Sequence, residues 1–299
     1  ATNVGTYTAY ATPQANYAWS DGTRTQKTVQ WSITPAEITL DATVYSGTYD
    51  GKAHPAVSNV KVTPSDSTVT YSIDGGKTYT SAVPTVTNAG SFSVIVKATR
   101  ANYSTREITK TSKIKPATAT ASAVNRTYTG SAQTGVSGTN VTWSGSTSGT
   151  NAGSYTAYAT PKTNYAWSDG TTGAHTITWS IARAKTATAS AVNRTYNGSA
   201  QTGVTGSYVT WTGDTKGTTA GTYTAYATPD ANHTWSDNGG TEKRTITWKI
   251  DSATISLDFT AYNAMYDGQA HNAVSNVKVT PDGCTVQYSL NGGAYSSTI

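Results

Sequence analysis

Six aromatic residues that could do binding chemistry recur at matching places along this sequence. Trp19, Trp167 and Trp235 each sit in an Asn-Tyr/His-Ala/Thr-Trp-Ser-Asp segment, and Tyr10, Tyr158 and Tyr226 precede them in matching Tyr-Thr-Ala-Tyr-Ala-Thr-Pro segments. Exposed indole and phenol rings stack on sugar rings through dispersion and CH–π contact. These six residues are therefore candidates for a glycan platform, or for lateral contact between chains. Repetition would strengthen weak sugar binding through avidity. The simpler use of each Trp is structural: capping its own β-structure or packing on the next repeat.

Other chemistries find no matching set of residues. No Gly-rich phosphate loop leads from a strand into a helix, no carboxylate pair recurs, and no Ser, His and acid keep a common spacing. His54 and His271 stand where other copies carry Gln133 and Gln201, which marks them as hydrogen-bonding turn residues. The single Cys284 replaces Ser67 of a sister segment, and metal-ligand spacings are missing. The sequence thus predicts no catalytic residue, no cofactor and no metal ligand. Its net charge of +5 is scattered, with 16 acidic residues dispersed among 21 basic ones. A nucleic-acid partner would need Lys and Arg clustered on one face, so none is expected. No apolar stretch is long enough to span a bilayer, and no membrane insertion is expected in this segment.

What positions the aromatics is a repeat. GTYTAYATPQANYAWSDG begins at Gly5, GSYTAYATPKTNYAWSDG at Gly153 and GTYTAYATPDANHTWSDN at Gly221. Pro161 and Pro229 are 68 residues apart, whereas Pro13 and Pro161 are 148 apart, an interval longer by 80. The extra length is a diverged unit whose opening, SGTYDGKAHPAVSNVKVTP from Ser46, returns as NAMYDGQAHNAVSNVKVTP from Asn263. The segments read as follows: 1–35, the back half of a type A repeat; 36–115, a type B repeat; 116–183 and 184–252, two type A repeats; 253–299, the front half of another type B. Asn88-Ala89-Gly90 matches Asn151-Ala152-Gly153, and Ala101-Asn102-Tyr103 matches Thr163-Asn164-Tyr165, marks of one duplicated ancestor. The half-repeats at either end suggest a window from a longer array. An array of this kind makes a structural role the starting expectation.

Thr, Ser, Gly, Tyr, Val and Ala dominate, and Leu occurs only at Leu40, Leu257 and Leu290. That usage favours strands and turns. Phe92, Val94, Val96 and Ala98 alternate with Ser93 and Lys97, and Tyr155, Ala157 and Ala159 fall on the same inner face in type A. Ile177, Trp179 and Ile181 alternate in the same way. Glycines at Asp74-Gly75-Gly76 and Asn291-Gly292-Gly293 mark hairpin turns. Short strands with turns at this density predict an all-β fold, a tandem array of small immunoglobulin-like β-sandwiches forming an elongated, stiff rod. At about 3.3 Å rise and 8–10 residues per strand, each repeat would add about 30–40 Å.

The Tyr-x-Gly-x-Ala-Gln/His opening, the Asn-Ala-Gly-Ser-Tyr/Phe entry to a late strand and the following Ala-Asn-Tyr resemble bacterial immunoglobulin-like repeats. The similarity is to the MBG type of Gram-positive and gut-bacterial surface proteins, and it covers essentially the whole chain. It implies a secreted or cell-surface protein, with the repeats acting as a non-catalytic stalk or spacer of an adhesin or extracellular fibre. The partners it implies are neighbouring repeats of the same chain, a lateral copy in a filament, or a glycan or host surface. A carbohydrate- or mucin-binding array and a phage or virion fibre protein are the rival readings.

Overall fold

A computed structural model describes residues 1–298, and among them every regular element is a strand. Two compact units divide the chain. Among the described residues, one holds 1–125, 133–149 and 154–180; the other holds 126–132, 150–153 and 181–298.

In the first unit, Gly5–Ala11 pairs antiparallel with Lys27–Ile33. A four-stranded sheet follows, in the order Ser46–Thr48, Arg106–Lys115, Gly90–Thr99, Thr68–Ser72. Its first strand runs parallel to its neighbour and the others antiparallel. Facing it is the antiparallel pair Thr39–Val44 and Val57–Thr63. The alternation seen in the sequence puts Val94, Val96 and Ile114 inside, against Ala42, Ala56, Val57 and Tyr71, so the core lies between two β-layers. A smaller core gathers Ala119, Val141, Ala159 and Trp167.

The second unit repeats the plan. Arg194–Thr195, Arg244–Asp251, Gly221–Pro229 and Val209–Gly213 form a sheet of the same order. Opposite it, Ala184–Ala191 pairs antiparallel with Val204–Ser207 and parallel with His233–Trp235. Ser256–Ala261 and Val274–Thr280 make a further antiparallel pair.

One contact organises each type A core. Trp179 is buried, stacks on Tyr155 with ring centroids 4.5 Å apart, and donates its indole N–H to the Ser146 carbonyl at 2.7 Å. A Cβ on Gly135 would lie 1.9 Å from the indole, so only glycine lets the strand approach. Trp248, Tyr223 and Gly203 reproduce the arrangement, with a stack of 4.4 Å and a Cβ that would fall at 1.8 Å. Gly135→Ala should therefore destabilise its sandwich by about 1–3 kcal/mol or more. Gly173→Ala, whose Cβ would meet nothing within 4 Å, should stay within about 0.5 kcal/mol of the parent. Thermal or denaturant unfolding of the full chain compares the two.

Candidate functional site: the joints between repeats and the aromatic faces

The tryptophans of the candidate platform belong to the interior. Trp235 is 1% and Trp167 7% exposed. The segment that carries them is a strand at Trp235, paired with Ala187, and Trp167 follows directly on the strand Tyr165–Ala166. Their indole N–H groups donate to the carbonyls of Glu242 and Gly173, at 2.8 and 2.7 Å. His175 stacks on Trp167 at 4.2 Å and Arg244 lies over Trp235 at 4.3 Å, so the faces a sugar would need are already occupied. Trp19 is half-buried, bonded to the Thr25 carbonyl, with the Lys27 ammonium 5.3 Å from its ring. A glycan platform built on Trp167 and Trp235 is therefore corrected to core packing, because burial and an internal partner for the N–H satisfy these side chains more fully than solvent does.

The tyrosines do stay outside. Tyr10 is 65% and Tyr158 43% exposed, and Tyr226 is half-buried with Lys243 4.6 Å from its ring. Tyr158 and Tyr226 also do local work. A Cβ on Gly145 would lie 3.2 Å from the Tyr158 ring, and one on Gly213 3.2 Å from that of Tyr226. Each ring covers a glycine of the adjacent strand that a turn requires at positive φ, the arrangement in which an aromatic shields a bare backbone. In the type B repeat a Cβ on Gly76 would meet the Tyr79 hydroxyl at 3.2 Å and Ile95 at 3.6 Å.

A constellation not foreseen from the sequence occurs where one repeat meets the next. In the first unit the Ala89 N–H donates to Asn164 Oδ1 at 2.9 Å, and Asn164 Nδ2 donates to Asn88 Oδ1 at 3.0 Å. Val4 N–H and Asn102 Oδ1 (2.9 Å), with Asn102 Nδ2 and Asn3 Oδ1 (3.1 Å), form the same clamp. The second unit has it again, Ala152 N–H to Asn232 Oδ1 at 2.8 Å and Asn232 Nδ2 to Asn151 Oδ1 at 3.2 Å. In every case one carboxamide both accepts and donates across the joint, which an uncharged Asn does with a short side chain. Asn102 and Asn164 hold φ of 67° and 71°, a left-handed conformation Asn tolerates better than most residues.

Backbone and rings reinforce the clamps. Tyr49 N–H donates to the Lys115 carbonyl and Ala117 N–H to that of Asn164, so chain entry and exit are tied at the first unit's joint. Tyr128 with Ala182 and Ala184 with Asn232 do the same in the second unit. Tyr49 meets Tyr165 edge-on at 5.5 Å, and Tyr128 meets His233 edge-on at 5.1 Å. His233 is buried, stacked on Tyr208 at 4.0 Å, with Nδ1 2.5 Å from Asp230 Oδ1. Burial works to raise the Asp230 carboxyl. The bond to His233, the Asn232 N–H and the nearby imidazole outweigh it and hold the carboxyl below its ordinary value of 3.8.

The recurrence of both motifs is visible in the sequence, yet the clamp partners are 75 to 99 residues apart, so nothing local pairs them. Among the described residues, no three His, Cys, Asp or Glu converge to hold a metal ion. None of the elements is a helix long and apolar enough to cross a membrane.

No family model and no curated protein matches the sequence. Solved structures similar to it include SGBP-B of the Bacteroides ovatus mixed-linkage glucan utilization locus, in complex with a mixed-linkage heptasaccharide. That pair shares 14% identity over 78% of this chain and 76% of the other, with a TM-score of 0.22. The human desmocollin-1 ectodomain (11% identity, 82% and 69% covered, TM-score 0.23) and Sidekick-1 immunoglobulin domains 1–5 (14%, 77% and 62%, 0.22) are others.

A carboxyl whose pKa is depressed on folding stabilises the fold above its unfolded value, and that contribution fades as pH falls through the folded value. The Asp230 contribution should therefore be intact at neutral pH and decline below about pH 4. Hydrogen exchange at the Asn232 and His233 amides, followed from pH 6 to pH 3 in the full chain and in Asp230→Asn, should show acid-dependent opening only in the parent.

Proposed function

We propose that this chain is a non-catalytic spacer, a run of MBG-type immunoglobulin-like repeats in a bacterial cell-surface adhesin or extracellular fibre. The observation that carries this reading is the joint: three times, a carboxamide clamp ties the Asn-Ala/Val pair of one repeat to the Asn of the next. Two neutral hydrogen bonds contribute about 1–3 kcal/mol per clamp, enough to restrain bending although not to fuse the repeats. Neighbouring repeats are thus the first partners of each repeat. A stalk needs that property, because it transmits position and tension to whatever lies at its tip.

The test is small-angle scattering of the full chain beside a triple variant, Asn102→Ala, Asn164→Ala and Asn232→Ala. The parent should scatter as a chain with restrained joints and the variant as a more flexible one, with circular dichroism unchanged. A parent already behaving as freely jointed beads would remove the reading.

The exposure of Tyr10 and Tyr158 favours a second reading, contact of the outward type A faces with a glycan, a host surface or a lateral copy. A glycan and mucin panel probed with the chain and with Tyr10→Ala, Tyr158→Ala and Tyr226→Ala combined distinguishes the two. The spacer reading expects no binding by either protein. Binding that the triple variant loses would make the array adhesive.

A further inference from the structure

Each complete type A repeat presents one sheet edge whose main-chain groups are left open. Val141–Gly145 is the last strand of its sheet and pairs on one side, antiparallel with Gly153–Pro161. The Asn140 carbonyl accepts from Lys162 N–H at 2.9 Å, and Ser146 N–H donates to the Thr156 carbonyl at 2.8 Å. Residues of an antiparallel ladder alternate, so Thr142 and Ser144 also turn both main-chain groups toward that neighbour, and Trp143 turns both away. Val209–Gly213 has the same register against Gly221–Pro229, anchored at Tyr208 and Asp214, with Trp211 facing outward.

The type B repeat closes the equivalent edge from within. Tyr71, at the place of Trp143, donates to the Thr80 carbonyl at 2.8 Å and accepts from Thr80 N–H at 2.9 Å. The cover comes from chain length: twelve residues, 73–84, lie between Ser72 and Thr85, but only three, 145–147, between Ser144 and Ser148. An extended segment therefore fits this edge, and among the described residues the complete type A repeats supply none of their own.

The side chains agree with the backbone. Trp167, Trp179, Trp235 and Trp248 are buried, and each donates its indole N–H to a carbonyl. Trp143 and Trp211 are only half-buried, and no acceptor among the described residues meets their indole N–H. Neither edge strand contains a charge, a proline or a register shift, the devices by which exposed edges avoid one another. From Thr127 to Pro161 no residue is charged at all. Neutral edges have nothing to select a charged partner, but they match their own kind. Turned about a two-fold axis, Trp143 of one copy donates to and accepts from Trp143 of a second, which satisfies all four groups.

We propose that these edges are self-association surfaces: Val141–Gly145 and Val209–Gly213 each pair antiparallel with the same strand of a second copy, centred on Trp143 and Trp211. The sheet then continues across two molecules, with Thr142 opposite Ser144 of the second copy and Thr210 opposite its Thr212. This adds to the spacer reading a lateral partner met through strand edges, apart from the tyrosine faces.

The test is sedimentation equilibrium of the full chain over a concentration series. Beside it run a variant with Thr142→Lys, Ser144→Lys, Thr210→Lys and Thr212→Lys, and a second with Glu at the same four positions. The mean mass of the parent should rise with concentration, whereas each variant alone should stay monomeric. An equimolar mixture of the two variants should associate again, because every Lys then meets a Glu across the pair. The combined Tyr10→Ala, Tyr158→Ala and Tyr226→Ala chain should associate like the parent. Hydrogen exchange of the parent should slow by about tenfold or more at the Trp143 and Trp211 amides on association, and stay unchanged at Thr142 and Ser144. A parent that stays monomeric to its solubility limit overturns the proposal, while the spacer reading keeps its own test in scattering. Association of the Lys variant equal to the parent's, a mixture without rescue, or association that leaves the Trp143 and Trp211 amides unprotected overturns it as well.

Discussion

The approach of a tryptophan to a bare backbone is the constraint on which the type A repeats depend. A repeat of this size encloses little apolar volume, and the chain has only three leucines to supply it. Trp179 and Trp248 meet that need with one large side chain each, provided that the opposite strand presents glycine and that a tyrosine ring closes the other face. Ala157, Ala159, Ala225 and Ala227 are fully buried, Ala159 packing in one cluster with Trp167 and Ala227 with Trp235, so small side chains on this strand make room for indoles. The glycine of the opposite strand and the tyrosine stack follow from that one packing choice.

Small cores leave the ends of each repeat in need of partners, which gives the joints their chemistry. A charged pair would be screened by salt, and a metal-bound joint would need acids that this chain disperses. A carboxamide needs neither. Its oxygen takes the N–H that begins a strand and its nitrogen donates to a second carboxamide, so both polar groups of the junction are satisfied. The clamps at Asn164 and Asn232 are half-buried while that at Asn102 is exposed, which ranks the first joint as the weakest of the three.

Much of this is legible in the sequence. Strict alternation identifies the inner faces of Phe92–Ala98 and Ile177–Ile181, since one residue of slip would expose every apolar side chain. The all-β class follows from composition and turn residues. For Trp167 and Trp235 the sequence offers core packing as the simpler use but does not exclude a platform, because the strands around them are only two or three residues long and leave no periodicity to read. The clamps were hidden for a different reason. Asn-Ala-Gly and Ala-Asn-Tyr each look like an ordinary turn, and only the fold shows that one copy's turn is the other's partner.

Comparison between copies separates structural from surface roles more sharply than exposure does. Position 162 is Lys and its counterpart 230 is Asp, so a charge of either sign is tolerated at the loop that precedes the clamp. The clamp asparagines do not vary among the three joints, although Val4 replaces alanine and His233 replaces tyrosine beside them. Of the outward tyrosines of type A, Tyr158 and Tyr226 cover Gly145 and Gly213, while in type B the turn glycine Gly76 meets the Tyr79 hydroxyl and Ile95. Tyr158 and Tyr226 therefore have a packing role at these turns, besides the ring faces they leave open to solvent.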